Sequence, residues 1–170
     1  MVMDLQFDEF DDCAQPLDHV ADVLDGNGWV FQRASDDEIV MTLEGKACNY
    51  RVFFMWQEDM QALQIACQYD LQVAKPFAAN LYQSVAQVNE KLWLGHFDVP
   101  SGSGKPCFRH TCLLRGVNAA SGIEQVEDMI DFSLQQCERY YSVFQLLAVP
   151  EGAASNDTVS LALMEVKGEA

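Results

Sequence analysis

Four residues in close order have the types that bind metals or carry nucleophilic chemistry: His96, Cys107, His110 and Cys112. Zinc sites draw on CxxC-type knuckles at turns, and none is present here. If 107–114 is a strand, Cys107 faces away from His110 and Cys112, because strand side chains alternate. A cysteine nucleophile needs a partner base and an environment that lowers its pKa. The acidic surroundings push a thiol the other way, and a Cys–His pair requires a cleft to place it. Asp22, Asp25 and Asn27, with Gly26 and Gly28, give a faint calcium-loop spacing. Trp29 stands where a third oxygen ligand belongs, and no glutamate closes the loop, so DGNG reads as a helix stop. The loop Gly102–Lys105 has two glycines and a lysine but not the GxxxxGK[ST] spacing. Pro106 follows, and then a strand, so no helix N-terminus receives a phosphate. The expectation is no catalytic residue, no metal and no cofactor.

The elements that must position these residues are bounded by composition. The chain has 170 residues, 49% of them hydrophobic, enough for one domain with its own core. Its formal charge is 10 − 26 = −16. Such a surface repels phosphate backbones and anionic lipid, so nucleic-acid and membrane roles are disfavoured. No apolar run approaches the roughly 20 residues that span a bilayer. The first residues, MVMDLQFDEFDD, are acidic where a signal peptide is basic. A cytoplasmic location is expected, with the cysteines as small buried hydrophobes in a reducing compartment.

Residues 1–13 read as an acidic N-terminal arm, 14–150 as a single domain, and 151–170 as a linker with a short apolar tail at 159–166. Pro16 suits a first helical turn, and Leu17, Val20, Ala21 and Leu24 recur at helical spacing. Alternation predicts strands over 29–34, 38–44, 48–56 and 63–70. Pro76 opens a helix carrying Phe77, Leu81, Val85, Val88 and Leu92, which Gly95 ends. Short strands follow at 96–99 and 107–114, and a last helix runs from Ile123 to Leu147, with Pro150 beyond. The predicted fold is α+β, in the order α-ββββ-α-ββ-α, an antiparallel sheet with helices packed mainly on one face.

If Gly45–Lys46 closes a two-residue loop, Met41 opposes Tyr50 and Ile39 opposes Val52. A hairpin over 57–62 sets Phe54 against Ile65 and Val52 against Cys67. One face then collects the core residues. The other carries Val30, Val40, Phe53 and Met55 among polar neighbours, where a water-facing sheet should alternate more cleanly. Those four are the candidate protein interface, for a second subunit or a client. The competing reading is that the N-terminal arm or the 159–166 tail covers them.

Gly28-Trp29, the strand Tyr50–Trp56, the passage VNEKLWLGHFDV at 88–99 and ERYYSVFQLL at 138–147 together resemble the YbjN family of bacterial proteins. The resemblance spans about residues 14–148, and Asn89, Leu94, Gly95, Phe97, Gly116 and Tyr140–Phe144 carry it best. It implies a sensory transduction regulator, with a fold similar to that of type III secretion chaperones. Those are small, acidic, often dimeric proteins that bind extended client segments. The expected function is a non-enzymatic, cytoplasmic protein-binding module, regulator or chaperone-like, that forms a homodimer. It would bind an unknown client by apolar sheet surface or sheet edge. The alternative is a small-molecule sensor with an apolar pocket between sheet and final helix, Tyr140 and Tyr141 near its mouth.

Overall fold

The computed structural model describes residues 15–73 and 78–148. The acidic arm, Pro76, Phe77, the linker and the 159–166 tail lie outside the described residues. The element order is α1 (Pro16–Gly26), β1 (Phe31–Ser35), β2 (Glu38–Glu44), β3 (Asn49–Gln57), β4 (Ala62–Tyr69), α2 (Ala78–Asn89), β5 (His96–Asp98), β6 (Cys107–Leu113) and α3 (Ala119–Ala148). One turn of 3-10 helix, Glu58–Met60, links β3 to β4. The strands form one antiparallel sheet in the order β1-β2-β3-β4-β6-β5. The fold is therefore α+β, in the expected order.

Local chemistry sets the helix ends. Pro16 occupies the first turn of α1, where its missing N–H costs nothing. The Gln15 N–H donates to Asp18 Oδ2 at 3.1 Å, half of a capping box. At the other end the Asn27 side-chain amide donates to the Val23 carbonyl at 2.9 Å, and Gly28 takes φ +70°. DGNG is a helix stop. Asn118 caps α3 by accepting the Ser121 N–H at 3.0 Å.

The three helices pack on one side. α1 lies against α3, β2 and β3, α2 against β5 and α3, and α3 against β4 and β6. The strands answer by period 2: Ile39, Met41 and Leu43, then Tyr50, Val52, Phe54 and Trp56, are buried on that face. Beneath α3 the core is aromatic. Phe97 lies 5.0 Å from Phe144, 5.2 Å from Phe108 and 5.7 Å from Tyr140 by ring centroids. Tyr69 lies 5.2 Å from Phe144 and 5.5 Å from Tyr50.

Four expectations need correction. β1 begins at Phe31, so Val30 precedes the strand and stands 87% exposed at the sheet's corner. The β2–β3 register is Met41↔Val52 and Ile39↔Phe54, two residues from the expected pairing, with a four-residue loop at 45–48. A shift of two preserves the faces. α2 ends at Asn89, so Leu92 lies outside it. Tyr140 is buried against Phe97, not placed at a pocket mouth. The β3–β4 pairing is as expected, Phe54↔Ile65 and Val52↔Cys67.

The reason for the longer loop is Glu138, on α3. Its carboxylate accepts from Lys46 N–H at 2.8 Å, from Ala47 N–H at 3.2 and 3.3 Å, and from the Tyr50 hydroxyl at 2.9 Å. A side chain at Gly45 would collide with the Tyr50 ring and this carboxylate. Glu138→Ala is expected to cost about 1–3 kcal/mol, because several donors lose one acceptor. Urea melts of Glu138→Ala, Tyr50→Phe and the double variant check this. Additive losses would mean the two side chains are not energetically coupled.

Candidate functional site

β6 divides the chemically suggestive residues between two faces. Phe108, His110 and Cys112 pair with Cys67, Ile65 and Leu63 and share their helix-covered side. Cys107 and Arg109 face the other way, with His96 opposite Arg109. Among the described residues, no group of three His, Cys, Asp or Glu side chains could hold a metal. Cys112 Sγ does lie 3.3 Å from His110 Nε2, within the reach a nucleophile–base pair needs. The electrostatics run against that use. Burial pushes the Cys112 thiol up and the His110 imidazole down, so both are held neutral. The His110 ring packs beside Phe132, with centroids 6.2 Å apart. The 100–105 segment is a hairpin loop: Ser103 and Gly104 N–H groups donate to the Pro100 carbonyl, with Gly104 at φ +63°.

The sheet face opposite the helices has a different organisation. One cross-strand row runs Gln32, Val40, Phe53, Ala66, Arg109, His96. The next sets Glu38, Met55, Gln64 and Thr111 side by side. Val40, Phe53 and Met55 are half-buried and adjoin, so three of the four candidate interface residues come together, and Val30 does not join them. Arg51 lies over the Phe53 ring, 5.2 Å from its centroid, a cation–π distance.

The rest of this face is polar and mostly paired within the chain, although Asp98 Oδ1 is buried without a hydrogen-bond partner. Arg109 Nε donates to Asp98 Oδ2 at 2.9 Å and its Nη1 to Gln64 Oε1 at 3.3 Å. Gln64 Nε2 donates to Thr111 Oγ1 at 2.8 Å. Arg51 and Arg109 balance Glu38 and Asp98, so the face is near neutral on a chain of net charge −16.

Two features escaped the sequence reading. One is the loop after α2. The Asn89 side chain accepts Phe97 N–H at 2.7 Å and donates to Phe97 O at 3.0 Å, pairing with β5 as a strand would. Gly95 sits at φ +68°, where an added Cβ would strike the Phe108 ring and the Arg109 carbonyl. This clamp holds out Trp93, 98% exposed, and Leu94, 51% exposed. The other is an open groove of about 1380 Å³ along α3, between Leu94, His110 and Cys112 and the hairpin residues Glu44–Lys46. Its acidic side chains Asp128 and Asp131 look in the sequence like the solvated stripe of an amphipathic helix. The exposed Trp-Leu pair before Gly95 was the available signal.

Among curated proteins no sequence matches this chain. The solved structure "Crystal structure of YbjN, a putative transcription regulator from E. coli" is similar at TM-score 0.50 and 13% identity, over 79% of this chain and 96% of that one. At that identity the likeness shows the fold. Over residues 16–146 the sequence matches the profile of the YbjN family, "Putative bacterial sensory transduction regulator". That match covers most of the chain, which belongs to the YbjN family.

Proposed function

We propose that this regulator-family protein works by binding protein, and that its outer sheet face is a contact surface between two copies of the chain. The observation that carries this is the adjoining Val40, Phe53 and Met55 on a face that no described helix covers. Two like-charged molecules approach most easily where the local charge is balanced, and Arg51 and Arg109 balance Glu38 and Asp98 there. Most of the polar half of the face is already paired within the chain through Arg109, Gln64 and Thr111, Asp98 Oδ1 excepted. Its desolvation therefore leaves few unmatched groups. An isologous dimer lays the apolar half against its own copy.

The reading is non-enzymatic. The one Cys–His pair among the described side chains is held neutral by burial, the reverse of an activated thiolate. The cysteines among the described residues are all free, which suits the reducing cytoplasm. No described helix is long and apolar enough to cross a membrane. The small-molecule alternative is less well supported, since Tyr69, Phe97, Phe108, Tyr140 and Phe144 fill the space beneath α3.

Light scattering behind a size-exclusion column tests the dimer. The wild type is expected at twice the chain mass, and Phe53→Ser at the mass of one chain. Arg51→Glu, at an exposed position, guards against a folding defect in the first variant and is expected to weaken the dimer as well. A wild-type monomer, or a dimer unchanged in both folded variants, would overturn the reading.

A further inference from the structure

We propose that the groove along α3 is a second protein-binding site, one that takes a basic segment of a partner protein carrying apolar anchors. The proposal rests on the protein-binding reading above but not on the dimer, because the groove lies on the helix side of the sheet.

Isolated exposed apolar residues are ordinary on soluble proteins. Trp93 and Leu94 differ in how they are held. The Asn89–Phe97 pairing and the glycine-only conformation of Gly95 fix the loop that presents them. The fixed backbone spares the loop's ordering cost on binding, although the Trp93 ring itself, 98% exposed, is unheld. The pair also adjoins a concavity: Leu94 lines the groove together with Met129 and Phe132. The apolar floor therefore reaches Leu94, whose chain neighbour Trp93 stands exposed beyond the lining.

Charge selects the occupant. The groove is lined by Glu44, Asp128, Asp131 and Glu138 against Lys46 and Arg139. Glu138 is engaged by the hairpin backbone and Tyr50. Asp128 and Asp131 are exposed, one turn apart on α3. Gln125 Oε1, on the same wall, is a buried acceptor without a hydrogen-bond partner. The carboxylates outnumber the two cations Lys46 and Arg139 along the groove, on a chain of net charge −16. Arginine and lysine supply the matching donors and stack on an indole face such as that of Trp93. Nucleic acid and anionic lipid are repelled by the same field.

The test uses the full chain and a Trp-free 14-residue peptide of Lys, Arg, Leu and Ala at physiological salt. An analogue with Glu at the basic positions serves as control. The readout is intrinsic fluorescence, since solvent-exposed Trp93 moves to shorter emission wavelength when covered. The basic peptide is expected to bind and the Glu analogue not. Asp128→Asn with Asp131→Asn is expected to weaken binding roughly tenfold, two exposed charge contacts together. Trp93→Ala is expected to abolish most of the spectral shift. Neither variant should change the oligomeric state, and Phe53→Ser should bind peptide as the wild type does. No binding, or equal binding by the double aspartate variant, would overturn the proposal. Loss of peptide binding in folded Phe53→Ser would place the peptide at the outer face instead.

Discussion

Replacing Phe97 by alanine is expected to remove about 3–5 kcal/mol of stability, the range for deleting a fully buried phenylalanine. β5 has three residues, and Phe97 is its buried one. Its ring touches residues from three other elements: Tyr69 on β4, Phe108 on β6, and Tyr140 and Phe144 on α3. Removing it leaves a cavity among rigid rings that cannot collapse into the space. The backbone of the same residue holds the Asn89 clamp, so lost packing also loosens the loop that carries Trp93. Domains of this size are stable by about 5–15 kcal/mol, so the variant loses a large share of the total. Urea unfolding followed by circular dichroism measures it, with exposed Leu113→Ala as a control near zero. A loss below about 1 kcal/mol would mean the ring cluster is not the centre of the core.

The second large effect is alkaline unfolding. Burial pushes the Tyr69 hydroxyl and the Cys137 thiol well above their ordinary values of 10.0 and 9.0. The Cys107 thiol is pushed up to about 12 for the same reason. Tyr69 also donates to the Cys137 carbonyl at 2.6 Å, a bond that only the protonated phenol makes. The folded chain keeps these protons at pH values where the unfolded chain releases them. Stability is therefore whole below pH 9 and falls as pH rises through the ordinary values toward the folded ones. With three groups, the slope approaches about 4 kcal/mol per pH unit above pH 10. Denaturation midpoints at pH 8, 10 and 11 measure the fall, alongside phenolate absorbance. The buried phenols, Tyr69 chief among them, are expected to ionise only as the circular dichroism signal is lost. Ionisation of every tyrosine at the ordinary value in a still-native chain would contradict the account.

What could be read from the sequence follows the reach of the interactions involved. Alternation of Val52, Phe54, Ile65 and Cys67 specifies the face, because a one-residue slip would expose the whole row, and the 57–62 hairpin adds the β3–β4 pairing. The neighbouring β2–β3 pairing is two residues off because its loop is widened by Glu138, about ninety residues away, and nothing in Gly45–Lys46 announces that partner. The end of α2 has the same kind of cause: Asn89, its last residue, turns its side chain to the Phe97 backbone. Most residues that carry the family resemblance converge on one structural job. Asn89, Gly95 and Phe97 build the clamp, and Tyr140 and Phe144 pack on it. They specify architecture, so they point to the family without pointing to a site. Phe53 and Met55 stand out as departures from alternation, whereas Val30 joins the same stripe only if β1 starts two residues early. The groove was hidden because Asp128 and Asp131 look like any solvated helix face until Leu94 is placed beside them.

If two copies meet through the outer sheet face as proposed, Met55 lies at the contact between them, and an intermolecular signal there is the decisive observation. Protein with isotope-labelled methionine methyl groups is mixed with unlabelled protein, and isotope-filtered NOEs then report only contacts between copies. The expected result is intermolecular NOEs from the Met55 methyl to aromatic protons, lost in Phe53→Ser, with none from Met129 beside the α3 groove. A dimer that shows no intermolecular NOE at Met55, or shows one at Met129 instead, would contradict the account.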